Sequence, residues 1–98
     1  MTRVIFHRQA QSDLTSTLKY YEKFASREVA NQFLVELRSC TNRVSQNPEG
    51  FILVSPVLRR ANLRRFPFYL LYYLIEDRIK VTAVAHNRRN PSYGTKRR

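Results

Sequence analysis

The hydrophobic pattern of this 98-residue chain changes its period once, close to Pro48. Before that proline, apolar side chains recur every three or four residues in two successive stretches, which is the spacing of amphipathic helices. After it, they alternate with polar residues or run continuously, as they do in β-strands. Because a helix must bury its apolar stripe against another layer, this change predicts two helices packed on a sheet.

The first half of the chain predicts one strand and two helices. Arg3–His7 is short and contains β-branched residues, which favours a strand, and Gln9–Phe24 has the apolar spacing of a helix. The second helix begins after Ser26, a favourable N-cap, and ends by Asn47. It ends there because Pro48 disfavours helical geometry in the residue before it. The short link predicts an antiparallel helical hairpin.

The second half predicts strands only. The segments are Phe51–Val54, Leu58–Phe66, the almost wholly apolar Phe68–Ile75 and the alternating Ile79–His86. The polar turn between the last two makes them a β-hairpin. The expected order is β-α-α-β-β-β, with room for one more strand. The fold class is therefore α+β, a two-layer domain with a helical hairpin on a mostly antiparallel sheet.

Length and composition restrict the class of protein. Ninety-eight residues predict a single domain over residues 1–98, and the polar end at 91–98 predicts a flexible basic tail. The longest apolar run, Phe66–Ile75, is far shorter than the roughly 20 residues of a membrane span. The N-terminus resembles no signal peptide and Cys40 is the only cysteine, so a cytoplasmic protein is expected. No metal or cofactor motif is present in the sequence.

Positive charge is concentrated in the sheet half. The chain has 18 basic and 7 acidic residues, a net charge of +11, and residues 50–98 alone carry +9. Arginine outnumbers lysine 14 to 4, which favours contacts with phosphate or carboxylate groups. We therefore expect nucleic acid or an acidic protein as partner. The residues predicted to bind it are Arg59, Arg60, Arg64, Arg88, Lys96 and Arg97, with Arg98 at the chain end.

One segment gathers chemically useful side chains after the last strand. His86, Arg89 and Tyr93 lie within eight residues of one another, and Arg65 precedes the aromatic strand. Metal-free RNA cleavage needs a base, an acid and cations that hold the phosphate, and these four residues are the catalytic candidates. The alternative is that His86 is a neutral, hydrogen-bonded residue at a strand end. The arginines would then be solvated or paired with a partner's carboxylates.

Nearly the whole chain resembles the RelE/ParE-type toxins of bacterial type II toxin–antitoxin modules. The motifs that carry this resemblance follow one another in the family's order. They are Ala10-x-x-Asp13-Leu14, Tyr20-Tyr21, Ala30-x-x-Phe33, Asn47-Pro48, Arg64-Arg65-Phe66-Pro67-Phe68, Leu71-Tyr72 and Val84-Ala85-His86-x-Arg88-Arg89-x-Pro91-x-Tyr93. The resemblance implies the architecture described above. It also implies a toxin that arrests growth until a cognate antitoxin, acidic and partly disordered, wraps and silences it.

The resemblance leaves the toxin's target open. RelE-like members cut messenger RNA on the ribosome, whereas ParE-like members inhibit DNA gyrase and have no known hydrolytic chemistry. Ribonuclease members commonly carry an arginine in the strand that corresponds to Phe68–Leu71, where this chain has Tyr69. This departure favours the ParE-like, non-hydrolytic interpretation, with the ribonuclease as the alternative if Arg65 substitutes. A simple nucleic-acid-binding module is the third hypothesis.

Overall fold

The computed structural model describes residues 2–98, and Met1 lies outside the described residues. Two helices pack on a five-stranded mixed sheet, which confirms the predicted α+β class. The element bounds are β1 Arg3–Phe6, α1 Arg8–Phe24, α2 Arg27–Gln46, β2 Ile52–Leu53, β3 Arg59–Asn62, β4 Phe68–Ile75 and β5 Arg78–His86. No helix within residues 2–98 is long and apolar enough to cross a membrane.

Side-chain caps define where the helices begin. His7 Nδ1 accepts a hydrogen bond from the Gln9 backbone N–H at 3.0 Å, and Ser26 Oγ accepts one from Val29 at 3.1 Å. Burial, followed by the nearby Lys80 charge, lowers the pKa of His7, which keeps the ring nitrogen available as an acceptor. These contacts satisfy N–H groups that have no partner within the helix.

The strand order in the sheet is β1-β5-β4-β3-β2. β1 runs parallel to β5, whereas the other neighbouring strands are antiparallel. The β4–β5 pairing contains a bulge: Leu71 pairs with Ala83 and Tyr72 with Val81, so Thr82 has no partner opposite. β1 follows β5 only as far as Val81, so the last part of β5 has no strand on that side.

The helical hairpin covers one face of the sheet. Phe33 and Leu37 of α2 pack against Leu70, Tyr72 and other buried residues of the strands. The hydroxyl group of Tyr72 donates a hydrogen bond to the Pro48 carbonyl at 2.7 Å, which satisfies its polar end inside the core. This is the main hydrophobic core that the two helical stripes predict.

The opposite face of the sheet is also covered. Tyr69, Leu71, Ala83 and Ala85 are at most 3% exposed and form a second cluster, against which Tyr93 packs. The C-terminal segment, residues 87–98, therefore folds back over this face. The flexible tail expected at residues 91–98 stays a prediction, and in the structure Tyr93 of this segment packs on the sheet.

The predicted strand Leu58–Phe66 is too long. β3 ends at Asn62, and the chain then turns so that the Leu63 N–H donates to the Phe68 carbonyl at 2.9 Å. Pro67 has no N–H to contribute to a ladder, which favours a turn at this point. Arg64 and Arg65 consequently lie in an exposed loop and not in a strand.

Candidate functional site

A cleft of about 420 Å³ lies between α1 and the end of β5. It brings together three of the four predicted catalytic residues, His86, Arg89 and Tyr93. The wall formed by α1 contributes Ser12, Asp13, Ser16 and Tyr20. The opposite wall comes from the end of β5 and the chain that follows it. Residues far apart in the sequence therefore meet in this cleft.

Asp13 is the centre of the contacts beside this cleft. One carboxylate oxygen, Oδ1, accepts a short hydrogen bond from the Tyr93 hydroxyl group. The other, Oδ2, accepts hydrogen bonds from Arg97 Nη1 at 2.7 Å and from the Val84 backbone N–H at 3.1 Å. The side chains of Asp13 and Arg97 are only 9% and 14% exposed. Both oxygens are thus occupied within the protein.

These contacts supply hydrogen-bond partners where β5 has no strand beside it. On the β1 side, β5 is unpaired beyond Val81, and Asp13 provides the acceptor for the Val84 N–H. Arg97 donates to the carbonyl of the bulged residue Thr82 at 2.9 Å. Burial opposes the charge of Arg97, but the interactions with Asp13 and Tyr93 together outweigh that effect and raise the pKa of the guanidinium. Tyr93 and Arg97 therefore hold the C-terminal segment in place.

Sequence reasoning did not assign a role to Asp13, although a signal was present. Asp13 lies between Ala10 and Thr17, on the side of α1 that also carries the buried stripe. A carboxylate at such a position needs a donor or a cation, so it indicates a buried partner elsewhere in the chain. The partner itself could not be predicted, because Arg97 lies 84 residues away.

One of the two ring nitrogens of His86 is hydrogen-bonded, as the structural alternative for this residue expects. Its Nδ1 accepts a hydrogen bond from the Arg88 N–H at 3.0 Å, and its ring meets Phe68 edge-to-face at 5.1 Å between centroids. The neutral ring that this implies carries its proton on Nε2. Nε2 makes no hydrogen bond with any of residues 2–98, and His86 is one of the residues that line the cleft.

Arg89 stacks on the outer part of the same site. Its guanidinium lies 4.4 Å from the Tyr93 ring centroid, and that of Arg97 lies 4.6 Å away. Arg97 is bound to Asp13, whereas the Arg89 side chain makes no hydrogen bond within residues 2–98. Stacking fixes the plane of the Arg89 guanidinium and leaves its donors available for an anion.

Arg65 is not part of this cleft. It lies in a different groove of about 690 Å³ along α2, together with Arg64, Phe66, Val35 and Glu36. The four catalytic candidates therefore divide into a group of three and one separate residue. The fixed cation that a ribonuclease would require from Arg65 does not line the cleft that contains His86.

The cations of the two basic segments, which include the residues predicted to bind a partner and the catalytic candidates Arg65 and Arg89, fall into two groups. In the first, here called the tied cations, the guanidinium is held by the protein. Arg59 donates to the carbonyls of Glu49 and Phe51 at 3.1 and 2.7 Å. Arg60 donates to Asn62 and Asn87 at 2.9 and 3.3 Å. The tied cations are Arg59, Arg60, Arg97 and Arg98, the last of which donates to the carbonyls of Thr95 and Arg97 at 3.3 and 3.1 Å.

The second group, here called the free cations, is exposed and makes no side-chain hydrogen bond or ion pair within residues 2–98. Its members are Arg64, Arg65, Arg88, Arg89 and Lys96. They come from both basic segments, the loop before β4 and the chain after β5. The division follows from contacts that are not visible in the sequence.

Tyr69 is the residue that stands where ribonuclease relatives carry an arginine. It is 3% exposed, and the Arg60 guanidinium lies 3.9 Å from its ring centroid. The hydroxyl of a tyrosine carries no fixed positive charge. The nearest cation on this part of the sheet, Arg60, is already bound to two asparagine side chains.

Known proteins resemble the chain in sequence and in fold. The family model described as "ParE toxin of type II toxin-antitoxin system, parDE" matches residues 4–91. Toxin ParE2 of Mycobacterium tuberculosis (strains CDC 1551 / Oshkosh and ATCC 25618 / H37Rv) is 27% identical over 90 residues, covering 92% of this chain and 86% of that protein. A chain of the chromosomal ParDE TA system from P. aeruginosa has the same fold, with a TM-score of 0.77 and 19% identity, over 88% of this chain and 96% of that one.

The fold and the charge together define a small basic α+β domain. The chain belongs to the ParE toxin family and is the toxin of a type II toxin–antitoxin system. This confirms the resemblance found in the sequence and favours the ParE-like over the RelE-like interpretation. A toxin of this type implies a cognate antitoxin as its partner.

Proposed function

We propose that this toxin arrests growth by binding and inhibiting DNA gyrase, without cleaving RNA, and that an acidic, partly disordered antitoxin neutralises it. The observation that carries the proposal is the hydrogen bond that the Tyr93 hydroxyl group donates to Asp13. This hydroxyl group, the natural proton donor of the cleft, is thus already bound to a carboxylate. A group held in this way is a poor general acid, because the carboxylate stabilises the proton where it is.

The remaining groups do not complete a hydrolytic site. RNA cleavage without a metal needs a base, an acid and fixed positive charge at the phosphate. His86 and Arg89 remain available in the cleft, but Arg65 lines a different groove and Tyr69 is uncharged. Loss of one such stabilising group typically lowers the rate by about 10²–10³. Inhibition by binding requires none of these roles.

The free cations support a macromolecular contact. Arg64 and Arg65 project from the loop before β4, and Arg88, Arg89 and Lys96 from the chain after β5. Arginine is common at protein interfaces because its planar guanidinium binds carboxylates in a bidentate manner. We assign the gyrase contact to these free cations. The same positive charge would accelerate association with an acidic antitoxin segment that folds on binding.

A supercoiling assay with purified gyrase tests the proposal. Micromolar toxin should prevent the conversion of relaxed plasmid into supercoiled plasmid, and addition of the antitoxin should restore it. Relaxation by a type I topoisomerase is the control, because a protein of charge +11 binds DNA nonspecifically and could block any enzyme on it. Full gyrase activity in the presence of folded toxin would contradict the proposal. Cleavage of ribosome-bound messages by the same preparation would instead establish the ribonuclease alternative.

A further inference from the structure

The cleft between α1 and β5 contains hydrogen-bond donors without acceptors. Ser12 and Ser16 lie one turn apart on α1, and neither hydroxyl group bonds to another side chain or backbone group within residues 2–98. His86 and Arg89 line the same space, and neither the Nε2 atom of His86 nor the Arg89 guanidinium bonds to a group within residues 2–98. The one carboxylate of the cleft, Asp13, has both oxygens occupied. The cleft is therefore suited to an anion.

Several donors around one small volume favour phosphate over a single carboxylate. A phosphate group presents three strong acceptor oxygens, and the cleft is lined by Arg89 and His86 from the β5 end and by Ser12 and Ser16 from α1. Arg89 is also pre-oriented by its stacking on Tyr93, at 4.4 Å from the ring centroid. Because the guanidinium is already oriented, binding of an anion costs less conformational entropy.

An exposed aromatic ring continues the same row of α1. Tyr20 follows Ser12 and Ser16 at helical spacing and lines the cleft while remaining 59% exposed. Four residues along a helix correspond to about 6 Å, so Tyr20 lies roughly one ring width beyond the serine nearest to it. Exposed aromatic rings beside cationic grooves are platforms on which nucleobases stack. The volume of about 420 Å³ is that of a small-molecule site.

We propose that this cleft is a nucleotide-binding site in which Arg89, His86, Ser12 and Ser16 hold the phosphate and Tyr20 stacks on the base. This proposal assigns a ligand to the cleft rather than a target to the toxin, and Arg89 is the one residue that it shares with the proposed gyrase contact. The ligand is a phosphate group linked through a sugar to a planar base. Its source is either a free nucleotide or the terminal nucleotide of a single strand.

Titration calorimetry on the full chain at fixed salt tests this assignment with adenosine 5′-monophosphate as the probe. Binding should saturate at one site and be at least about tenfold tighter than that of inorganic phosphate or of adenosine, because each of these supplies half of the contacts. A single strand with a 5′-phosphate distinguishes the sources. Tighter binding of the strand assigns the site to a strand end, and equal binding assigns it to the free nucleotide.

Matched variants separate the cleft from general electrostatic attraction. Arg89→Ala and Tyr20→Ala should each weaken binding of the monophosphate by about tenfold, the loss expected for one charge-assisted or stacking contact. Arg38→Ala removes an equal charge on α2, outside the cleft, and is the control. This control should bind as the wild type does. Equal weakening in all three variants, or the absence of saturable binding, would overturn the assignment.

Discussion

The two basic segments of the chain look alike in sequence but differ in what holds their arginines. In the segment from Arg59 to Arg65, the tied cations Arg59 and Arg60 are bound to backbone carbonyls and asparagine side chains. In the segment from Arg88 to Arg98, the tied cation Arg97 is bound to a carboxylate, Asp13, and is nearly buried. The first segment is anchored by neutral partners near the surface, and the second by an ion pair.

This difference shows why net charge is a poor measure of the surface offered to a partner. Four arginines of the two basic segments contribute to the +11 charge while their donors bind groups of the protein itself. Within these two segments, the five free cations carry the charge that is available to a target or an antitoxin. Variants of tied and free cations should therefore separate stability from inhibition.

The largest effect is expected from removing the anchor of the C-terminal segment. Asp13→Ala leaves Arg97 and the Val84 N–H without their acceptor, so the free energy of unfolding should fall by about 3 kcal/mol. Glu22→Ala on the exposed side of α1 is the matched control and should stay within about 0.5 kcal/mol of the wild type. Urea denaturation measures both. Equal stability of the two variants would mean that Asp13 does not anchor the segment.

Alkaline pH should lower the stability of the core while leaving the arginine contacts charged. Arginines stay charged, whereas burial raises the pKa of the Cys40 thiol from 9.0 to about 11 and that of Tyr72 from 10.0 to about 12. Between pH 9 and 11 the folded state keeps the Cys40 proton that the unfolded state loses. Stability should therefore fall as the pH rises, by about 2–3 kcal/mol for Cys40 alone.

Cys40→Ala provides the control for this pH dependence. Denaturation midpoints measured from pH 8 to pH 11 should decline less steeply in the variant, because alanine cannot ionise. Tyr72, at the other titrating position, should account for the slope that remains above pH 10. An unchanged slope in the variant would show that Cys40 ionises as readily in the folded protein as in the unfolded chain.

Gly94 tests how closely the C-terminal segment lies on the sheet. Its φ is +76°, and a Cβ atom there would lie 2.6 Å from the Ala83 Cβ atom. Gly94→Ala should therefore cost about 2 kcal/mol of stability through strain and a local clash. At Gly50 the added atom would meet only the movable Asn47 side chain, so Gly50→Ala should cost less. Thermal denaturation compares them, and a reversed order would argue against tight docking.

The smallest change in stability is expected when a tied and a free cation of the same segment are each replaced by alanine. Arg59→Ala removes two charge-assisted bonds to carbonyls and should lower the free energy of unfolding by about 1.5 kcal/mol. Arg64→Ala should change it by less than about 0.5 kcal/mol, because that side chain is exposed and unbound. The expected order reverses in the gyrase assay, where Arg64→Ala should weaken inhibition. If both variants lose stability equally, the division into two groups is wrong for this segment.

The elements of the fold were predictable because they follow from periodicity. The helical hairpin and the Phe68–Ile75 strand were predicted within a residue or two of their bounds, since apolar spacing and Pro48 determine them locally. The docked C-terminal segment was not predicted, because polar contacts between Asp13 and Arg97 replace an apolar stripe there. The cleft was only partly predicted: His86, Arg89 and Tyr93 are close in sequence, whereas Ser12, Ser16 and Tyr20 join them only through the packing of α1.

The most direct test of the central claim is the topology of a reporter plasmid in cells that express the toxin without its antitoxin. Inhibition of gyrase predicts that the plasmid loses negative supercoils before growth stops, while messenger RNA isolated from the same cells remains intact. A free-cation variant, Arg64→Ala combined with Arg65→Ala, should fold normally and shift the plasmid less. Growth arrest with unchanged plasmid supercoiling and cleaved messages would contradict the account.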